Sequence, residues 1–147
     1  MSRHGILAAA AASVFLLMTN VSLADDHPYS EGPVINVASI RTAEGKFDEY
    51  MDWLSTTWKK LQEESKKRGY IVNYEVLTAE ARGPNDPDIF LVTTYKNWAA
   101  LDGSIAKGDE VAKAVEGSIA AANKSQSERD KIRRVLGSQT MQQMILK

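Results

Sequence analysis

The stretch VINVASIRTAEGKFDEYMDWL, residues 34–54, changes from a strand pattern to a helix pattern within a few residues. Its first eight residues are rich in β-branched side chains and alternate imperfectly, which is typical of a strand. After Gly45, the apolar residues Phe47, Met51 and Leu54 recur at steps of four and three, which places them on one side of a helix. The stretch therefore predicts a strand over 34–41 that leads into an amphipathic helix.

The apolar stripe of this helix continues through Trp58 and Leu61, and Gly69 is its natural end. Trp53 lies beside the stripe and is a candidate interface residue. The opposite side is typical of a solvated face and carries Lys59, Lys60, Glu63, Lys66 and Lys67.

Two further strand patterns, 70–79 and 89–95, flank a loop dense in glycine, proline, asparagine and aspartate, which predicts a hairpin. The acidic residues of this loop match no calcium-binding spacing, so we expect a plain turn. The third strand runs without a break into KNWAAL, residues 96–101. Here we expect Tyr95 to be the last inward residue of the strand and Trp98 to pack under the next helix.

The remaining sequence predicts a helix from about Asp109, then a second helix or a bend, and a last strand within 138–147. The order strand, helix, strand, strand, helices, strand is the ferredoxin-like βαββαβ arrangement. The predicted class is α+β, with one antiparallel sheet and its helices on one face.

Such a sheet leaves its other face bare. We expect an open face that carries Val34, Ala38, Ile40, Ile89 and Leu91 together with Asn36, Asn73, Glu75, Thr93 and Tyr95. An exposed apolar patch of that extent marks an interaction surface. The sequence thus predicts a homodimer, a dimeric αβ barrel whose two sheets enclose a pocket.

The N-terminus has the pattern of a secretory signal peptide: Arg3, then an apolar run over 6–18, then the small residues Ser22 and Ala24. The run is too short for a membrane span, which needs roughly 20 residues. We expect cleavage after Ala24, a periplasmic or secreted protein and no stable membrane association. Residues 25–33 are interpreted as a flexible lead-in, and 34–147 as a single domain.

Composition narrows the function further. The chain contains no cysteine, which excludes disulfides, thiolate catalysis and cysteine metal sites. The formal charge is −1, or −2 once Arg3 is removed, so nothing favours nucleic acid as a partner. His27 lies in the lead-in, where no rigid element would orient it for a serine triad. We expect no metal and no cofactor.

The stretch 34–54, followed by IFLVTTYKNWAAL at 89–101, resembles the antibiotic biosynthesis monooxygenase type of dimeric αβ barrel, over residues 34 to about 146. The resemblance implies a pocket for a small organic molecule on the sheet face opposite the helices. Some members are oxygenases without metal or flavin, and others degrade haem. The histidine that haem-degrading members carry on the second helix has no counterpart here.

Asn36 and Tyr95 stand where this family often has an asparagine and an aromatic residue. An amide and a phenol can both donate hydrogen bonds to a developing oxyanion, so the two are the candidate catalytic residues. Glu75 is the candidate base on the same predicted face. The predicted ligand-binding set is Asn36, Asn73, Glu75, Leu91, Thr93 and Tyr95.

Three functions remain open from sequence. The first is an exported protein that binds a small aromatic or apolar molecule in this pocket. The second is a cofactor-independent monooxygenase or isomerase that uses the same pocket. The third is a structural homodimer without a ligand. The volume of the pocket separates the third from the others, and oxygen uptake separates the second from the first.

Overall fold

The computed structural model describes residues 26–147, so the predicted signal peptide at 1–24 lies outside the described residues. The elements are β1 (Tyr29–Thr42), α1 (Phe47–Trp53), a π-helical segment (Leu54–Trp58), α2 (Lys59–Lys67), β2 (Asn73–Thr78), β3 (Ile89–Tyr95), a 3-10 helix (Trp98–Leu101), α3 (Ser104–Glu116), α4 (Ile119–Arg129) and β4 (Arg133–Leu146). The predicted order of elements and the α+β class are confirmed.

The four strands form one antiparallel sheet in the order β2-β3-β1-β4. The long strand β1 is therefore central, with β3 on one side and β4 on the other. Asn36 of β1 lies opposite Thr93 of β3 and opposite Thr140 of β4. This register decides which side chains share a face, because directly paired residues point to the same side of a sheet.

The hydrophobic core lies between the sheet and the first helices. Tyr50, Leu54 and Trp58 form one buried cluster with Ile40 and Ile89. A second set of side chains from the strands packs against this cluster and consists of Ala38, Tyr74, Val76 and Leu91. Because side chains alternate along a strand, these contacts identify all the strand residues that lie on the face covered by the helices.

The prediction that Val34, Ala38, Ile40, Ile89 and Leu91 occupy the open face is wrong. These residues lie on the face that the helices cover, and Val34 and Ile89 are fully buried there. The physical reason is that β1 and β3 are apolar on both sides, so their alternation does not reveal which side meets the helices.

The opposite face, here called the open face, is formed by the strand residues that alternate with those of the covered face. It carries Ile35, Val37, Phe90, Val92, Leu77 and Met141. Leu77 and Met141 are 50% and 41% exposed. No described helix contributes to the packing on this side, although Val92 at its centre is only 9% exposed. The sheet does present an apolar face without helices, and its apolar residues are not the expected ones.

Strand β1 begins at Tyr29, so residues 29–33 are part of a strand and are not the flexible lead-in that the sequence predicted. Tyr29 pairs with Leu146, because β4 is as long as β1 and supplies partners to its very start. Strand β4 correspondingly begins at Arg133, earlier than the predicted 138.

The paired ends of β1 and β4 project beyond the rest of the sheet. Strand β3 ends at Tyr95, which pairs with Val34, so residues 29–33 and 143–146 form a two-stranded extension that we call the arm. A register shift between Glu31 and Val34 lies within it. The large apolar side chains Tyr29, Met144, Ile145 and Leu146 are exposed there.

Two separate α-helices, α3 and α4, follow β3 and the 3-10 helix. The sequence left open either two helices or one helix with a bend. Gly117 has φ +85°, a left-handed value suited to glycine, and the Ser118 hydroxyl accepts a hydrogen bond from the Ala121 amide to start α4. At the far end of α4, Arg129 stacks on Trp53 of α1 at 4.1 Å. The helices thus gather on one face of the sheet, as predicted.

Candidate functional site

A cavity of about 300 Å³ lies between α2, the 3-10 helix, α3 and the end of β3. The surface that lines it is mostly apolar. Its apolar residues are Leu61, Ile71, Ala100, Leu101, Val111 and Ala112, and its polar residues are Gln62, Ser65, Tyr70, Tyr95, Ser104, Lys107 and Glu116. A mainly apolar wall with a few polar groups is the usual character of a small-molecule site.

Local sequence explains how the cavity forms. Gly69 and Gly103 both have positive φ, which lets the chain turn sharply after α2 and before α3. The Asn97 side chain accepts a hydrogen bond from the Ala100 amide and so fixes the start of the 3-10 helix. The turns place α2 and α3 next to the last residue of β3, and the cavity is lined by all three elements.

Tyr95 reaches this cavity from the covered face of the sheet. Its hydroxyl has no hydrogen-bond partner within residues 26–147. Burial raises the pKa of Tyr95 above its ordinary value, because an apolar environment disfavours the phenolate. Tyr95 is therefore a protonated hydrogen-bond donor at neutral pH, with its donor available to a ligand.

Other polar groups of the wall already have partners. Lys107 donates from Nζ to the Ala100 carbonyl at 2.8 Å and lies 5.5 Å from the centroid of the Tyr70 ring. The Tyr70 hydroxyl donates to Glu110 at 2.6 Å, and this bond raises the pKa of Tyr70. The positive charge of Lys107 is thus held at the wall by a backbone carbonyl and an aromatic face.

Glu116 contributes a carboxylate to the same wall, and within the described part of the chain it has no ion-pair partner inside 4 Å. A carboxylate beside an apolar cavity repels anions. The wall thus carries one positive and one negative charge, Lys107 and Glu116, and this balance together with the Tyr95 donor favours a neutral ligand that carries a hydrogen-bond acceptor.

Asn36 lies elsewhere on the covered face. Its Nδ2 donates to Ser138 Oγ and to Thr140 Oγ1, both at 2.9 Å. The amide donors that the sequence suggested for oxyanion stabilisation are therefore taken by two hydroxyls of β4. Asn36 is on the same face as Tyr95, but it is not part of the wall of the cavity.

The remaining predicted site residues divide between the two faces. Thr93 and Leu91 lie on the covered face, and Leu91 packs on the core. Asn73 and Glu75 lie on the open face, where Asn73 donates to Glu75 at 3.2 Å. The expectation that all six residues share one face is wrong, and Glu75 is separated from Tyr95 by the sheet.

Trp98 is also not buried under the next helix, where the sequence predicted it. Its ring is 49% exposed, and Nε1 donates to Gln142 of β4 at 2.9 Å. Lys107 and Glu116 were not among the predicted site residues, because only the packing of α3 brings them to the wall of the cavity.

Residues 26–147 contain no cluster of three or more histidine, cysteine, aspartate or glutamate side chains that could hold a metal ion. Across the same residues, no helix has the length and apolar character needed to cross a membrane.

No protein-family model matches the chain, and no curated protein matches its sequence. Solved structures do match its fold. HapK from Hahella chejuensis superposes with a TM-score of 0.52 at 14% identity, and the match covers 75% of this chain and 91% of HapK. Protein SO0527 from Shewanella oneidensis gives a TM-score of 0.50 at 17% identity, covering 80% of this chain and 96% of that protein.

A third solved structure, described as a dimeric ferredoxin-like protein from an uncultured marine organism, gives a TM-score of 0.50 at 14% identity. The match covers 78% of this chain and 97% of that protein. Together with the strand order β2-β3-β1-β4, these likenesses show that the fold is ferredoxin-like, of the type to which the antibiotic biosynthesis monooxygenase resemblance pointed.

Proposed function

We propose that this protein binds a small, neutral, largely apolar molecule in the cavity between α2, α3 and the end of β3. The observation that carries the proposal is the Tyr95 hydroxyl, a donor without a protein partner among the described residues, at the wall of an apolar cavity of about 300 Å³. A ligand with a carbonyl or ether oxygen would accept this hydrogen bond while its rings fill the apolar space.

The site favours binding over catalysis by the predicted residues. The Asn36 donors are engaged with Ser138 and Thr140, and Glu75 lies across the sheet from Tyr95. An oxygenase or isomerase that used these three groups together would need them around one substrate atom. A purely structural role leaves the cavity and its donor unused, so it explains less.

The experiment compares two bicyclic probes, 1-tetralone and tetralin, which differ in one carbonyl oxygen. Isothermal titration should show tighter binding of 1-tetralone, by roughly tenfold, because a buried donor without its acceptor costs free energy. In Tyr95→Phe the two probes should bind equally. Tyr74→Phe is the matched control, because the Tyr74 hydroxyl is bonded to Glu63 and does not line this cavity.

Two results would contradict the proposal. One is that neither probe binds in the millimolar range or below. The other is that Tyr95→Phe and Tyr74→Phe change the preference for 1-tetralone to the same extent.

We further propose that the open face and the arm join a second copy of the chain into a dimer. The open face is apolar, and residues 135–146 of the edge strand β4 contain no charged side chain. Edge strands that stay unpaired usually carry charges or proline to prevent association. One of the structural relatives is itself described as dimeric, which fits this arrangement.

The proposed setting is the bacterial periplasm or the extracellular space. The support is the signal-peptide pattern within residues 1–24, with cleavage expected after Ala24. Intact-mass measurement on the protein from a periplasmic fraction should give a chain that begins at Asp25. A chain that retains its first 24 residues would contradict export by this route.

A further inference from the structure

Two arginines at the junction of α4 and β4 lie over aromatic rings of α1. The guanidinium carbon of Arg129 is 4.1 Å from the centroid of the Trp53 ring, and that of Arg133 is 6.0 Å from the Tyr50 ring. The two rings stack on each other with centroids 5.8 Å apart. The side chain of Arg133 is only 9% exposed. Two cations are thus held close together with little access to water.

Several donors of this cluster are buried without a partner. Arg129 Nε, Arg133 Nε and Nη1, and Trp53 Nε1 have no hydrogen-bond partner in the described part of the chain. Buried polar atoms in proteins are nearly always hydrogen-bonded, to protein, to water or to a bound ion. Two of these four donors, Arg129 Nε and Trp53 Nε1, belong to residues that line one hollow, so the wall of this hollow lacks the acceptors that buried donors normally have.

The charges around the cluster do not balance. A hollow of about 400 Å³ between α1 and α4 is lined by Lys46, Glu49, Trp53, Ser125, Glu128, Arg129, Lys131 and Ile132. Both lysines have a glutamate at 2.7 Å, Lys46 with Glu49 and Lys131 with Glu128. Arg129 has only the Ser125 hydroxyl, at 3.4 Å, and no carboxylate of residues 26–147 within 4 Å.

Arg133 is hardly better compensated. Its one ion pair is with Asp130 at 3.5 Å, and that carboxylate is 58% exposed. Burial lowers the pKa of Arg129, and the nearby charge of Arg133 lowers it further. The negative charges of Glu116 and Asp130 oppose these two effects only in part, and an anion in the hollow would oppose them further.

We propose that this hollow is an anion site, which binds a small oxyanion, a carboxylate or phosphate group, against the Arg129 guanidinium and the Trp53 indole N–H. The planar fork of an arginine matches two oxygens of such a group, and a charge-assisted bond satisfies the donor and the charge together. Arg133 does not line the hollow, but it is close enough to Arg129 to add a second positive charge. The hollow shares no lining residue with the Tyr95 cavity, and the anion site does not depend on the function proposed for that cavity.

The test follows the N–H groups themselves by NMR. The purified protein is titrated with inorganic phosphate, and separately with acetate, at an ionic strength held constant with chloride. The indole N–H signal of Trp53 and the Nε–H signal of Arg129 should shift to saturation with one or both anions. The indole signals of Trp58 and Trp98, which do not line the hollow, should stay in place.

Two variants and a control sharpen this test. Arg129→Gln should abolish saturation of the Trp53 shift. Arg129→Lys keeps the positive charge but loses the planar guanidinium and its stacking on Trp53. This variant should still fold, and its affinity for the anion should fall by roughly tenfold. Arg134→Gln removes an equal charge from an exposed residue that bonds Asn85, and it should leave the titration unchanged.

The anion site is refuted if neither phosphate nor acetate gives a saturable shift at Trp53. It is equally refuted if Arg129→Lys and the unaltered protein bind the anion with the same affinity, or if Arg134→Gln weakens it as much as Arg129→Gln does.

Discussion

The two faces of one sheet differ in what covers them, although both are built from the same strands. On the covered face, Ile40 and Ile89 are buried under Tyr50, Leu54 and Trp58. On the open face, Ile35, Val37 and Phe90 have no described helix above them. Side chains of similar type thus form a buried core on one side and a surface without a covering helix on the other.

The apolar content of a strand therefore does not by itself show which of its faces the helices cover. A central strand can be apolar on both sides when each side meets something, whether a helix or another subunit. The assignment here is carried by the helix residues that make contact, above all by Tyr50, Leu54 and Trp58.

The largest effect is expected from truncation on the covered face. Ile89→Ala leaves a cavity under the helices and should lower the free energy of unfolding by about 2–5 kcal/mol. Leu77→Ala on the open face, where the side chain is 50% exposed, should cost less than about 1 kcal/mol in the monomer. Urea denaturation at low protein concentration measures both. Equal losses would mean that the two faces are covered alike.

A charge on the open face should break the dimer and spare the fold. Val37→Asp would place an unpaired carboxylate in the proposed interface, and we expect the dimer dissociation constant to rise at least about 100-fold. Sedimentation equilibrium provides the measurement. Ala120→Asp, on an exposed position of α4, is the control and should leave association unchanged. A Val37→Asp protein that still sediments as the unaltered protein does would remove the open face from the interface.

A smaller effect is expected at the arm. A methyl group on Gly32 would lie 2.9 Å from the Gln143 carbonyl oxygen, so Gly32→Ala should separate β1 from β4 locally and weaken the dimer by about tenfold. Gly108→Ala, in α3 on the covered side and with open space around it, is the matched control. Sedimentation and amide hydrogen exchange at Ile145 would report the change. If both substitutions behave alike, the arm has no part in association.

The smallest effect concerns alkaline pH. Burial raises the pKa of Tyr95 and of Tyr50 above 10.0, so the unfolded chain ionises first as the pH rises. The stability linked to these groups is complete below pH 10 and is lost above it, as the pH passes through the folded-state values. Tyr95→Phe should show a smaller fall in unfolding free energy between pH 9 and 11 than the unaltered protein. Tyr29→Phe, at an exposed ring of the arm, should leave this fall unchanged. If the unaltered protein and both variants lose stability with the same slope, burial of the Tyr95 hydroxyl is contradicted.

Much of the fold could be predicted from the sequence. The spacing of Leu54 and Trp58 and the stop at Gly69 gave the first helix, and the pattern 89–95 matched β3 at both ends. These signals are local, so a single chain contains them. The starts of β1 and β4 were missed because Tyr29 and Arg133 become strand only through pairing with distant residues.

The candidate site was less accessible to sequence reasoning. Tyr95 was identified, since it ends a strand in an inward position and lines the cavity. Its neighbours Lys107 and Glu116 come from α3, and their placement depends on how α3 packs on α2. The arginine cluster gave no signal either, because Arg129 and Arg133 resemble ordinary surface cations until Trp53 and Tyr50 are seen beneath them.

We propose that the ligand site lies on the covered side of the sheet and the partner surface on the other side. Backbone amide shifts during a titration with 1-tetralone distinguish the two sides. We expect saturable shifts at cavity residues such as Tyr70, Leu101, Lys107 and Val111, with little change at Ile35, Val37 and Phe90. Saturable shifts confined to the open-face residues would show that the ligand binds on the other side of the sheet.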